Sequence, residues 1–341
     1  MKQIMNTANG GYNVLKVQEV PRLVPKASEL VINVKASGLN FADILARKGQ
    51  YPDGPDKPCV MGYEVSGVVT EVGDRVDEKW IGKEVIAFTR FNGQAEQVAV
   101  VPSQVFEKPN SLTFEEAAAI PVNYMTAYLL LVVMGSLQSE ESVLIHNVGG
   151  GVGIAALDIA KHVGATTYGT ASRHKHNFLI ERGLDHAIDY RNKDWYKELM
   201  KMTDGKGVEL IADPLGGKEW KRSYRALRAT GRLGMFGISS ANEGTEGGIR
   251  GMWSMLKTVL QMPFYHPLSL LDKNRGVFGV NLGHLWHEPE KAKVWLSRVL
   301  EGVEEGWIIP HVDQTFSFDE VAEAHRYIEE RKNIGKVILV P

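Results

Sequence analysis

A single cysteine, Cys59, in 341 residues excludes an internal disulfide. It also excludes a cysteine-rich zinc site, which needs several thiolates at once. Long apolar runs are missing too. The longest, residues 128–134, falls far short of the roughly 20 residues a membrane helix needs. The first residues, MKQIMNTANGGY, lack the continuous apolar core of a secretory signal. Charge of one sign is not in excess: 39 Lys and Arg against 41 Asp and Glu leave a net charge of −2. A chain held on nucleic acid by bulk electrostatics would be basic, so no nucleic-acid partner is expected. With 44% hydrophobic and 23% charged residues, disorder as the main state is also excluded. A reducing, cytoplasmic interior is the expected compartment. Peripheral membrane contact stays open but is not expected.

Glycine is abundant instead, at 35 residues, and its positions matter because glycine marks turns and close backbone approaches. The length favours two domains. Over the first ~120 residues, β-branched runs at 31–34, 63–72, 84–88 and 95–101 alternate with Gly, Pro, Asp and Asn clusters, the texture of a β-rich unit. Thr113 and Glu116 form a capping box for a short helix that Pro121 is expected to stop.

From residue 123 the pattern becomes strand–helix alternation. Strands are expected at 142–146, 166–170, 186–190, 208–213, 232–237 and 277–280, with helices at 151–163, 175–182, 194–202 and 218–227. That succession implies a parallel sheet covered by helices on both faces. A Gly-, Met- and Trp-rich insertion covers 241–275. Its residues 251–262 suit one apolar helix face, open to a role in the core, at a dimer contact or on a membrane. The last residues offer helices over 288–301 and 318–330 and a strand over 336–340. They are expected to return to the N-terminal unit. The expected domains are therefore 1–122 with 284–341, and an inserted 123–283.

The strongest local motif is HNVGGGVG, residues 146–153, between an expected strand and an expected helix. Against the dinucleotide fingerprint G-x-G-x-x-G, Val148 replaces the first glycine, and Gly150 and Gly153 match. Gly150, Gly151, Val152 and Gly153 would bring backbone N–H groups and a helix N-terminus to a pyrophosphate. A glycine-rich turn without a ligand is the bland alternative. NAD sites usually carry an acid about 20 residues on. Here the chain reads TASRHK, residues 170–175. Ser172, Arg173 and Lys175 suit a 2′-phosphate, which favours NADP(H). A solvated helix start is the alternative.

Nearer the N-terminus, residues 36–43 read ASGLNFAD and 61–64 read MGYE. This stretch is similar to the catalytic-zinc region of alcohol dehydrogenases. Asn40 stands where a Cys ligand would be and Tyr63 where a His ligand would be. The four-cysteine structural lobe is absent as well, and no metal is expected. With the strings at 38–52, 114–131, 143–153, 168–176, 213–217, 270–283 and 332–341, the chain resembles zinc-free medium-chain dehydrogenase/reductases. The likeness is to the quinone oxidoreductase (zeta-crystallin-like) group, nearest the vesicle amine transport protein subfamily. The insertion over 241–268 matches least.

The resemblance implies an α/β fold: a GroES-like catalytic domain of β-rich build with an inserted Rossmann cofactor domain. It places Asn40 and Asp43 at the active-site floor and Tyr51 in the substrate pocket. Thr126 would contact the nicotinamide side, with Phe278 and Val280 bordering the carboxamide. Ser172, Lys175 and Tyr190 would recognise the 2′-phosphate. Asn333 and Lys336 lie in a string that reaches the cofactor in relatives. A homodimer through the edge strand at 277–280 is implied as well. Taken alone, Asn40 reads as a helix cap, Asp43 as a first-turn carboxylate and Tyr51 as a packed loop aromatic. The expected chemistry is hydride transfer from NADPH to a quinone or an α,β-unsaturated carbonyl, with the Asn40 amide or Tyr51 hydroxyl facing the developing oxyanion. A nucleotide-bound binding or scaffold protein is the alternative.

Overall fold

The computed structural model describes residues 1–242 and 248–341, and the side chains of these except at 241, 242 and 248–252. The expected 241–275 insertion therefore lies partly outside the described residues. The chain divides into two compact units. One contains Met1–Asn123 and Gly283–Pro341; the other begins at Tyr124 and includes Arg250–Leu282.

The first unit is built on a seven-stranded sheet. Its central strand, Leu30–Leu39, pairs antiparallel with Glu64–Val72 on one side and with Lys336–Val340 on the other. Val337 sits opposite Leu39, so the end of the chain lies beside its beginning. Leu30, Ile32, Val34, Val65, Val69 and Val85 fill the core, as the alternation of apolar residues requires. A smaller sheet joins Leu15–Glu19, Lys2–Asn6 and Cys59–Val60.

The second unit is a six-stranded parallel sheet ordered His186–Asp189, Thr166–Ala171, Ser142–Ile145, Val208–Asp213, Leu227–Met235, Gly276–Gly279. In chain order its strands lie 3-2-1-4-5-6, the doubly wound arrangement. The central strands are buried along nearly their whole length, as a sheet covered by helices requires. Leu144, Ile211 and Leu233 pack with Trp195 and Leu199. The chain leaves the end of Ser142–Ile145 at the switch point, where such folds bind ligands.

The structure departs from the expected elements in several places, among them a helix at Pro267–Lys273. Pro121 does not merely stop a helix; it is the first residue of Pro121–Tyr128, where its missing N–H is no loss. The apolar run that follows closes in a π-helical turn, Leu129–Val133. The strands Lys2–Asn6, Leu15–Glu19, Cys59–Val60, Val105–Glu107 and Val312–Ser317 were not expected. Val312–Ser317 ends its sheet, and polar edge strands carry little apolar signal.

Candidate cofactor and catalytic sites

The turn after Ser142–Ile145 is held in a left-handed conformation at Asn147, φ 54°. The Asn147 N–H donates to Thr170 Oγ1 at 3.1 Å. The Val148 N–H donates to the Thr170 carbonyl at 3.2 Å. Val148, the departure from the fingerprint, is buried against Gly169, where a Cβ would lie 2.6 Å from Val148 Cγ1. A glycine across the sheet thus makes room for the larger residue. A Cβ on Gly153 would lie 2.6 Å from Val148 Cα, so only glycine lets the helix start this close to the turn. Gly151, Val152 and Gly153 open the helix Gly151–Val163, and first-turn N–H groups have no intrahelical acceptor. A turn of backbone donors that glycine alone closes this tightly fits a pyrophosphate.

A buried side-chain chain braces this turn from below. Ser223 Oγ donates to Asp213 Oδ2 at 2.6 Å. His146 Nε2 lies 3.2 Å from Ser223 Oγ, and His146 Nδ1 lies 3.1 Å from Thr170 Oγ1. Burial holds the His146 imidazole neutral, its pKa down to about 3. Neutral, it donates to Ser223 through Nε2 and accepts from Thr170 through Nδ1, leaving the Thr170 oxygen to accept from Asn147. Burial also pushes Asp213 up to about 6, although Ser223 and the Leu215 N–H oppose the shift. This Asp–Ser–His set lies inside the fold and orders the turn.

Beside the turn, Lys175 is buried and its Cδ lies 2.8 Å from where a Gly149 Cβ would be. Its N–H donates to the Ser172 carbonyl at 3.0 Å. Ser172 is buried and Arg173 exposed, in the turn after Thr166–Ala171. Tyr190 packs partly buried on the sheet core. The structure therefore brings Lys175 to the glycine turn. Phe278 packs its ring on Gly234 and near Leu130. Val280 is buried and its N–H donates to the Met235 carbonyl at 2.9 Å. Thr126 is buried within Pro121–Tyr128.

In the other unit, Asn40 precedes the helix Phe41–Arg47 in extended conformation, but its side chain makes no capping bond. Its amide donates to Glu64 Oε1 at 2.9 Å and to the Gly38 carbonyl at 3.3 Å, and its Oδ1 accepts from Lys336 Nζ at 2.7 Å. Lys336 Nζ is also paired with Glu64 Oε1. Glu64 Oε2 accepts from the Val122 N–H at 2.7 Å. A Cβ on Gly38 would lie 2.7 Å from Lys336 Cε, so glycine admits the ion pair. The Asn40 amide hydrogens are both taken by these internal acceptors. Lys336 is 3% exposed, its ammonium held by Glu64 and Asn40. Asn333 Nδ2 donates to the Gly335 carbonyl at 2.9 Å, closing the turn before that strand.

Asp43 is buried. It accepts from the Asn40 N–H at 2.8 Å and the Gly62 N–H at 3.1 Å, tying the helix start to the loop before Glu64. Burial raises its carboxyl to about 7 despite those two donors and the Lys336 charge. Tyr51 meets Tyr63 edge-on at 6.2 Å, and Tyr63 meets Phe91 at 5.7 Å. Burial pushes Tyr51 to about 12, with Asp53 and Asp43 adding to the shift. Burial, reinforced by Asp43, raises Tyr63 further, and its hydroxyl has no hydrogen-bond partner. Glu64 and Tyr63 were not among the expected site residues. The signal was their adjacency in the string MGYE.

The donor set here does not suit zinc. Asn40 and Tyr63 offer an amide and a phenol, both Asp43 oxygens hold backbone N–H groups, and a lysine ammonium lies on Glu64. Cys59 lies 3.1 Å from Lys57 Nζ. Among the described residues, no three His, Cys, Asp or Glu side chains converge as metal ligands.

Residues 26–124 match the alcohol dehydrogenase GroES-like domain, and residues 182–339 match the zinc-binding dehydrogenase family. The human synaptic vesicle membrane protein VAT-1 homolog is 38% identical over 344 residues, covering 100% of this chain and 86% of the relative. The chain belongs to the medium-chain dehydrogenase/reductase family, in the quinone oxidoreductase-like group near VAT-1. Escherichia coli quinone oxidoreductase, solved in complex with NADPH, superposes with a TM-score of 0.86 at 26% identity, covering 100% of both chains. The CurK enoyl reductase superposes with a TM-score of 0.84 at 28% identity, covering 99% of this chain and 98% of that one. The doubly wound and GroES-like architecture is that of this family. The fit with zinc, by contrast, fails on the residues this chain carries.

Proposed function

We propose that this protein is an NADPH-dependent reductase acting on a quinone or an α,β-unsaturated carbonyl without zinc. The observation that carries the reading is the pairing of two features. One is a glycine cradle with Ser172 and Lys175 beside it. The other is a catalytic unit whose metal-ligand positions hold Asn40 and Tyr63. The NADPH complex of the E. coli neighbour and the enoyl reductase neighbour support it.

Gly150, Gly151, Val152 and Gly153 would hold the pyrophosphate, and Ser172, Arg173, Lys175 and Tyr190 the 2′-phosphate. Thr126, Phe278, Val280 and Asn333 belong to the same cofactor set. Bound NADPH would supply hydride to an electron-poor carbon. Tyr51, with its hydroxyl held protonated at neutral pH, faces the charge that develops on the substrate oxygen and donates a hydrogen bond to it. Asp43 and the Asn40–Glu64–Lys336 set keep the loops of Tyr51 and Tyr63 in place. The proton that completes the reduction comes from Tyr51 or from solvent. The test is NADPH oxidation by the purified protein over a panel of quinones and short enones, with NADH as the comparison. Folded protein with no turnover across the panel sinks the reading.

The domains act as a catalytic unit and a cofactor unit, and the chain as a cytoplasmic homodimer. Gly276–Gly279 is the last strand of its sheet, which leaves an edge for a second copy. Light scattering at micromolar concentration gives twice the chain mass if so.

A second reading is favoured by one surface. Trp253, Leu256, Leu260, Phe264, Leu268 and Leu271 are all exposed, on or between the helices Gly248–Leu260 and Pro267–Lys273. A patch of this kind suits a peripheral membrane contact. Among the described residues no helix is long and apolar enough to cross a membrane. Liposome flotation with neutral and anionic lipid decides, and no association with either removes this reading.

A further inference from the structure

Beyond the glycine turn, the second unit carries a basic groove that hydride transfer does not use. Lys221, Tyr224 and Arg225 line it from the helix Lys218–Arg225, and Phe264, Lys273 and Arg275 line it from the chain around Pro267–Lys273. No acidic side chain is among the described lining residues. Among the described residues, none of the four cations pairs with a carboxylate. By contrast Arg222, on the same helix, is paired with Asp194 and Glu219.

Two polar atoms of residues lining the groove are buried without a partner: the Tyr224 hydroxyl and Arg275 Nε. Tyr224 itself is 9% exposed. Arg275 Nη1 donates to the Tyr224 carbonyl at 3.0 Å, which fixes the guanidinium with Nε still unfilled. Buried donors without acceptors are uncommon in folded proteins. Beside four positive charges that no described carboxylate offsets, they call for an acceptor-rich anion. The groove holds about 230 Å³, below the ~300–1,000 Å³ of sites for drug-sized ligands, so the group that enters is compact.

The groove is separate from the cofactor cradle by topology. Arg225 comes just before Leu227–Met235, and Arg275 just before Gly276–Gly279. The glycine turn follows the end of Ser142–Ile145. These strands run parallel, so strand starts and strand ends lie at opposite edges of the sheet. We propose that this groove is a second anion site, which binds a phosphate monoester or diester through Lys221, Arg225, Lys273, Arg275 and the Tyr224 hydroxyl. Guanidinium and ammonium donors suit phosphate oxygens, and the exposed Phe264 at its rim suits an ester with an apolar neighbour. The site stands independently of the hydride-transfer reading.

The ester could be a soluble metabolite or a lipid headgroup, and the experiment separates them. The full chain, without and then with NADPH to occupy the glycine turn, is titrated calorimetrically with inorganic phosphate and glycerol 3-phosphate. In parallel it is floated with phosphatidylcholine vesicles with and without phosphatidic acid. Saturable binding of the free probes supports the site with a soluble ligand. Binding confined to phosphatidic acid vesicles supports it with a lipid headgroup. In either case the double variant Lys221→Ala/Arg225→Ala weakens binding by about tenfold or more. Tyr224→Phe, which keeps every charge, weakens it by about fivefold. Thermal unfolding establishes that both variants fold. The proposal is overturned if no probe binds, if both variants bind as tightly as the parent chain, or if binding is lost when NADPH is added.

Discussion

Lys336 Nζ lies 2.7 Å from Asn40 Oδ1 across nearly the whole length of the chain, and the same ammonium is paired with Glu64. All three side chains are buried. A buried carboxylate that loses its cation is left uncompensated, which costs about 3–5 kcal/mol. Lys336→Met is therefore expected to destabilise the protein by about that amount. Glu64→Gln added to it removes the stranded charge and recovers most of the loss. Urea unfolding of the two single variants and the double variant measures the coupling. If the double variant is no more stable than Lys336→Met, the ion pair is not what holds Asn40.

Tyr51 and Tyr63 are neighbours with opposite expected behaviour. The Tyr63 hydroxyl is buried without a partner. Removing such a group relieves a desolvation cost, so Tyr63→Phe leaves stability unchanged or raises it by about 1 kcal/mol. Tyr51 is the proposed hydrogen-bond donor to the substrate oxygen. Tyr51→Phe lowers kcat by about a hundredfold with KM little changed, since the bond strengthens as charge develops. Urea unfolding checks the first, and steady-state kinetics of both variants with a quinone substrate checks the second. Equal loss in the two variants would assign the effect to packing of the aromatic set instead.

These two clusters mark where the sequence was legible and where it was not. Gly153 and the helix it opens were readable because local spacing dictates them. So was the missing acid after Thr166–Ala171, since its absence is a local fact. The role of Lys336 was not readable. It sits 296 residues from Asn40, and only the antiparallel pairing of Val337 with Leu39 brings the two together. Nor was the accommodation of Val148, which depends on a glycine in the neighbouring strand. Lys2–Asn6 was missed because only Ile4 and Asn6 along it are buried, too sparse an alternation to stand out in sequence.

Lys175 packs along the glycine turn and Ser172 is buried beside it, so their effect on the cofactor should be specific to the extra phosphate. Lys175→Ala is expected to weaken NADPH binding by about tenfold or more through loss of a charge-assisted contact, and NADH binding far less. Gly153→Ala differs in kind. Its Cβ would meet the Asn147 carbonyl oxygen and Val148 Cα, so the turn must shift. Binding of both cofactors then falls together, with a stability loss of about 1–3 kcal/mol. Fluorescence titration with NADPH and NADH separates the cases. A Lys175→Ala variant that loses both cofactors equally would place Lys175 at the pyrophosphate rather than the 2′-phosphate.

Asp43 gives the fold a defined dependence on pH. Its carboxyl is raised from the ordinary 3.8 to about 7 by burial. Between those values the folded chain keeps a proton that the unfolded chain releases. The resulting stabilisation is complete below the unfolded value and is lost as pH rises through about 7. Asp43→Asn has no such proton. The stability of the parent chain relative to this variant should therefore fall as pH rises from about 4 to about 7 and be level above that range. His146, whose pKa is lowered to about 3, favours folding in the opposite direction as pH rises. It is present in both proteins and cancels in the comparison. Urea unfolding of the two proteins at steps across this range makes the measurement. A difference that stays constant with pH would mean that Asp43 is ionised in the folded chain throughout, its two backbone donors outweighing burial.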